Sequence, residues 1–144
     1  MQFFYYLKRL LLLVFLCLSL SVQAEQKQTL GQWDVHYIAI PTTFLTPEVA
    51  SSNQIVRSKY SSLINISVLD NDSKAAQSVS VRGKAVNLLG TTKPLSFKQV
   101  KEGSAIYYLA TVGFSDQETL RFTIDIQLGN EIQQLKFQQK MYAE

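Results

Sequence analysis

From Trp33 onward, apolar side chains recur at every second position, and this constrains the fold more than any other feature of the chain. A period of two puts alternate residues on opposite faces of an extended strand. Trp33, Val35, Tyr37 and Ala39 alternate with Asp34, His36, Ile38 and Ile40. The second series turns apolar at its end, which predicts cover on both faces there, and Pro41 stops the strand. Ile64, Ile66 and Val68 line one face of 62–69, Val79, Val81, Gly83 and Ala85 one face of 77–88, and Leu95 and Phe97 one face of 95–100. The pattern continues with Ile106, Tyr108, Ala110, Val112 and Phe114 over 105–114, and with Leu120, Phe122, Ile124, Ile126 and Leu128 over 119–128. Leu135, Phe137 and Met141 complete it over 131–142. Asp70-Asn71-Asp72-Ser73, Gly90–Pro94, Lys101–Ser104, Ser115–Glu118 and Gly129-Asn130 are turn chemistry between the runs. Seven short alternating strands predict an all-β fold, an antiparallel two-sheet immunoglobulin-like β-sandwich with one short helical turn. A small closed barrel satisfies the same periodicity.

Thr42 to Asn53 lacks the alternation. Thr46-Pro47-Glu48 reads as an N-cap, a proline at the first helical position and an acid in the first turn. That predicts a single helical turn through Val49-Ala50, fading at Ser51-Ser52-Asn53. A connection of this length can carry the chain from one sheet to the other. Residues 25–32 are polar and are expected to form a loose start.

Ahead of this body, Lys8-Arg9 is followed by the apolar run Leu10–Leu20, with Val22 and Ala24 at the −3 and −1 positions of a cleavage site. Residues 1–24 therefore read as a secretory signal peptide, cleaved after Ala24. The run falls short of the ~20 apolar residues of a spanning helix. The expected location is the periplasm, with no stable membrane span after cleavage. Leu16 stands before Cys17, where a lipidated cysteine needs a small residue. Removing 1–24 removes Cys17, the single cysteine, together with two of the 14 basic residues, and leaves one domain, 25–144, of net charge +1. Without thiols that domain holds neither a disulfide nor a thiolate metal site. Its near-neutral charge argues against a general nucleic-acid binder.

Chemistry narrows the reading further. His36 is the single imidazole, and a hydrolytic triad would have to use it with Asp34, which shares its strand face. A histidine hydrogen-bonded to a neighbour at the rim of the sheet is the simpler reading. The one His and one Met of residues 25–144, with no thiol, do not supply a transition-metal site. Asp70-Asn71-Asp72 opens like a calcium loop but has Ala75 and Val81 where the glycine and the bidentate glutamate belong. No catalytic residue, metal ligand or cofactor is expected.

Two constellations remain as binding surfaces. The 42–60 connection brings Phe44 and Leu45 towards Arg57, Lys59 and Tyr60, an apolar anchor beside cationic and aromatic groups. It suits an envelope protein, a peptide or a small anionic ligand, although Phe44 and Leu45 also read as a plug for the end of the sandwich. The outward row Ser80, Arg82 and Lys84, with Lys98 and Lys101 expected on the neighbouring strand, reads as a basic face for anionic lipid or polysaccharide. The same charges also read as a guard against edge-to-edge association. These features favour a non-enzymatic periplasmic binding module. The alternative is a small-ligand carrier with an apolar cavity between the sheets and Trp33, Tyr107 and Tyr108 at its mouth.

A resemblance to a known family lies in several segments, in order. They are His36-Tyr37, Pro41–Ala50, Arg57-Ser58-Lys59-Tyr60, Ile64–Leu69, Asn87–Gly90, Glu102–Ala110, Glu118–Phe122 and Phe137–Lys140. Together they resemble the exported proteobacterial family called domain of unknown function number 4426, across essentially the whole body. The resemblance implies a small single-domain envelope protein with a leader, and carries no activity and no catalytic residue. Pro41 departs from the family pattern, where Asn or a small residue is as common.

Overall fold

Alternation closes into two sheets in the computed structural model, which describes residues 1–6 and 26–143. The leader's apolar run and the cleavage site after Ala24 lie outside the described residues. Nine strands lie among them: β1 (Lys27–Leu30), β2 (Trp33–Pro41), β3 (Ser61–Asp70), β4 (Ser80–Asn87), β5 (Thr92–Leu95), β6 (Lys98–Glu102), β7 (Ala105–Gly113), β8 (Thr119–Leu128) and β9 (Glu131–Lys140). One sheet has the order β1-β2-β3-β7-β6 and the other β5-β4-β8-β9. All strand pairs are antiparallel. Each sheet keeps two edges, so the architecture is the immunoglobulin-like sandwich and not a closed barrel.

The inward series become the core as the alternation requires. Val35, Ile64, Ile66, Val68, Ala110, Val112, Leu120, Phe122, Ile124, Ile126 and Leu135 are all buried. Between the sheets Phe137 stacks on Tyr37 at 4.4 Å and on Phe122 at 4.5 Å, a three-ring column joining β2, β8 and β9. Tyr108 on β7 adds a polar tie across the layers. Its hydroxyl accepts from the Val79 N–H at 2.7 Å and donates to the Gln77 carbonyl at 3.1 Å. Gly83 is a packing requirement, because a Cβ there would stand 2.9 Å from Ile124 Cγ1 and 3.0 Å from the Thr123 carbonyl oxygen.

Several elements differ from the sequence reading. The expected loose start is β1, which folds back on Trp33–His36 through a turn in which Gly31 takes a φ of +60°. The single strand expected over 95–100 is divided. Leu95 ends β5 in one sheet and Lys98 opens β6 in the other, so the chain changes layers at Ser96-Phe97. Leu95 and Phe97 both still pack on the core at that corner. The 42–60 connection does not cross between sheets, since β2 and β3 are neighbours in the same sheet. Its helix α1 (Pro47–Ser52) is capped as expected, with Thr46 Oγ1 accepting from the Val49 N–H at 3.2 Å. Ile38 is exposed on the outer face rather than covered, and Leu128 is exposed at the β8–β9 hairpin.

Phe122→Ala is expected to cost about 3–5 kcal/mol through the cavity it opens beside Phe137. Leu128→Ala, on the exposed strand end, should stay within about 0.5 kcal/mol. Urea denaturation of the two variants checks the contrast.

Candidate functional site

The 42–60 excursion is held at both ends by one buried side chain. Thr42 Oγ1 donates to the Ser58 carbonyl at 2.9 Å and accepts from the Ser58 N–H at 2.9 Å. Helix α1 then closes with the Gln54 N–H on the Ser51 carbonyl and the Ile55 N–H on the Ala50 carbonyl, at 3.1 and 2.8 Å. This is a Schellman ending, with Gln54 at φ +59° in the position usually taken by glycine. Asn53–Ile55 lie over Leu63, Leu109 and Thr111 on the outer face of the five-stranded sheet, bordering a hollow of about 190 Å³.

This scaffold presents the expected residues unequally. Phe44 is 68% exposed and borders a hollow of about 250 Å³ with Pro41, Phe114, Met141 and Tyr142. Leu45 is half-buried, while Arg57, Lys59 and Tyr60 are exposed. Arg57 Nη2 donates to the Thr43 carbonyl at 3.0 Å, which brings the guanidinium to the base of Phe44. Lys59 Nζ stands 5.1 Å from the centre of the Tyr60 ring. The Tyr60 carbonyl accepts from the Phe114 N–H at 2.9 Å and fastens the excursion to the end of β7.

The other expected groupings come apart. Asp34 and His36 share a face, but the Asp34 carboxylate is engaged by Lys74 Nζ at 2.8 Å and Thr29 Oγ1 at 3.0 Å. The Lys74 and Thr29 hydrogen bonds hold its pKa below the ordinary range. His36 instead lines an open hollow of about 1060 Å³ with Ile38, Asn65, Ser67, Tyr107 and Gln139. Asn65 Oδ1 is buried in that region without a hydrogen-bond partner. Trp33, Tyr107 and Tyr108 do not form a common mouth. Trp33 and Tyr108 are buried in the core, and Tyr107 faces the other side of the sheet. Arg82 and Lys84 do share an outer face, but Lys98 and Lys101 lie on β6 of the opposite sheet because of the layer change at Ser96-Phe97. β4 is flanked by β5 and β8 instead, with β9 beyond β8. Sequence reasoning also passed over Leu88 and Leu89, which are 62% and 92% exposed at the β4–β5 turn. Their signal is an apolar pair directly before Gly90, which reads equally well as a strand end.

Comparison with known proteins gives one family model, described as "Domain of unknown function (DUF4426)", matching residues 27–144. The solved structure of a DUF4426 family protein from Pseudomonas aeruginosa is 37% identical, with a TM-score of 0.74, and the match covers 85% of this chain and 98% of that one. FetP of uropathogenic Escherichia coli strain F11, as isolated after recombinant expression in the periplasm, is 9% identical with a TM-score of 0.59, covering 84% and 95%. A copper-bound single-residue variant of FetP gives 10% and 0.58, covering 84% and 92%. At such identity FetP shares the fold alone. No curated protein matches the sequence.

Beside the excursion, Glu118 joins three segments. Its carboxylate accepts from Lys93 Nζ at 2.7 Å, Asn87 Nδ2 at 2.9 Å and the Ser115 N–H at 3.1 Å. Burial pushes its pKa up, but these donors outweigh burial and hold it below the ordinary 4.5. A depressed folded pKa means that the stabilisation is complete above the unfolded value and is lost as pH falls through the folded one. The melting temperature should therefore decline as pH drops below about 4.5, and Lys93→Met should make that decline shallower. Melting curves across the acid range, compared between the two proteins, read this directly; parallel declines would contradict it.

Proposed function

The chain belongs to the DUF4426 family, and from that premise we propose a periplasmic, non-enzymatic binding module that captures another envelope component on the 42–60 excursion. The observation that carries this reading is Phe44. A large aromatic side chain stands mostly in solvent on a loop that the Thr42–Ser58 clamp and the Arg57–Thr43 bond hold in place. An ordered apolar anchor beside cations has the make-up of an interface hot spot. A plug for the sandwich would have been buried.

Other features support the same reading. The Asp34 carboxylate is spent on Lys74 and Thr29, which argues against a triad built on His36. The inward side chains of both sheets, Ile64, Ile66, Phe122, Ile124 and Ile126 among them, occupy the space that a carrier would need between the sheets. Copper, held by the FetP variant, does not fit the donors here. The described residues contain no group of three His, Cys, Asp or Glu able to hold a metal, and Met141 is buried. Lys8-Arg9, the apolar run and Val22/Ala24 favour export with cleavage after Ala24. No helix among the described residues is long and apolar enough to cross a membrane.

A photo-reactive side chain placed at Phe44 in living cells should yield one discrete adduct. Combined Lys59→Ala and Tyr60→Ala, which leave the Arg57–Thr43 bond intact, should abolish that adduct while leaving the melting temperature unchanged. An adduct that survives the double substitution, or none at all, would overturn the reading.

A further inference from the structure

The β4–β5 turn differs in character from the other hairpin turns among the described residues. Those place Gly31-Gln32, Gly103-Ser104 and Gly129-Asn130 at their tips, as turn chemistry requires. This one presents Leu88 and Leu89 to solvent. It is also well ordered. Asn87 Oδ1 accepts from the Leu89 N–H at 3.0 Å and the Thr91 N–H at 2.8 Å, and the Asn87 amide is in turn fixed by Glu118. The leucines are therefore held out by design of the turn and are not free to fold back onto the core.

The outer face of the four-stranded sheet continues from this tip, and its charge is one-sided. Val86 stands opposite Arg121, Lys84 opposite Thr123 and then Lys136, and Thr119 opposite Lys140. All four cations are exposed. The single strand acid on this face, Asp125, lies further from the tip, opposite Arg82 and hydrogen-bonded to Gln134 at 2.9 Å. The face thus carries five cations and one acid, net +4, although residues 25–144 together are only +1. Tyr142, half in solvent, sits with its ring 5.7 Å from Lys140 Nζ.

We propose that this protein docks on an anionic phospholipid surface, with Leu88 and Leu89 entering the headgroup boundary and Lys84, Arg121, Lys136 and Lys140 meeting lipid phosphates. A rigid apolar tip beside a flat cationic face is the two-part requirement for peripheral binding, in which buried apolar area and attraction to anionic lipid add. A soluble polyanion would use the cations and have no need of the leucines. A protein pocket for the leucines would have no need of charges spread over three strands. Tyr142 suits the same boundary, where amphipathic rings collect.

The test uses protein purified from the envelope of cells producing the full chain, mixed with vesicles of phosphatidylcholine alone or with added phosphatidylglycerol and read by flotation. Any affinity contributed by residues 1–24 is common to all variants, so the comparison between variants is the readout. Phosphatidylglycerol should tighten binding by at least about tenfold, and added salt should reverse the gain. Leu88→Ser with Leu89→Ser should weaken it by about tenfold or more. Gln at Lys84, Arg121, Lys136 and Lys140 together should erase the preference for phosphatidylglycerol, with melting temperatures unchanged throughout. Equal binding to both vesicles, full binding by the double serine variant, or the same loss of binding to heparin in that variant as to vesicles would overturn the proposal. The Phe44 adduct reads different residues, so its outcome and this one remain separable.

Discussion

Three rings stacked at 4.4 and 4.5 Å tie the two layers together, running from the buried Phe122 out to the half-buried Phe137 and Tyr37. Tyr37 comes from the five-stranded sheet, and Phe122 and Phe137 come from the other. Aromatic pairs at such distances contribute stabilisation beyond the area they bury. Within the four-stranded sheet Gly83 lets β4 pair closely with β8 at Ile124, and between the layers the Tyr108 phenol reaches across to the chain entering β4. On the side where β9 meets β1 and β2, side-chain amides join the two layers. Gln28 donates to the Lys136 carbonyl at 2.8 Å and Gln139 to the Ala39 carbonyl at 3.4 Å.

A core filled in this way leaves recognition to the surface. The features that distinguish this molecule gather at one end of the sandwich, where the excursion, the β4–β5 turn and the chain after β9 meet. Phe44 shares a hollow with Met141 and Tyr142, while Lys93 bonds both the Gly113 carbonyl and Glu118. The end is thus cross-linked by polar contacts beneath a set of exposed apolar side chains. Loops positioned by a rigid scaffold are the usual seat of binding in sandwiches.

The strands were legible because the alternation is nearly unbroken, and so was the capped helix, because Thr46, Pro47 and Glu48 act over a few residues. Long-range partnership was not. Nothing local in Leu95–Val100 tells a reader that the chain changes layer at Ser96, since Leu95 and Phe97 point into the core whichever sheet holds them. That one unseen step placed Lys98 and Lys101 beside Arg82, when Arg82 faces Asp125 and the cations that share its sheet face are Lys84, Arg121, Lys136 and Lys140. Likewise Lys27–Leu30 has little strand character of its own and becomes a strand because β2 offers it an edge. The site residues were legible as types, but the exposure of Phe44 against the half-burial of Leu45 follows from the Thr42–Ser58 clamp, which no periodicity reveals.

The layer change at Ser96-Phe97 also bears on how the molecule comes apart. One short run supplies an edge strand to each sheet, with only two residues between them. A slip of one residue in β5 would be passed to β6, and every side chain on the slipped strand would then face the wrong way. Registry in one layer is therefore registry in both. The strand pairs that complete each layer, β4 with β8 and β3 with β7, also span long stretches of sequence. Opening either sheet therefore pulls directly on an edge strand of the other, a connection that favours one cooperative transition over loss of the layers in turn.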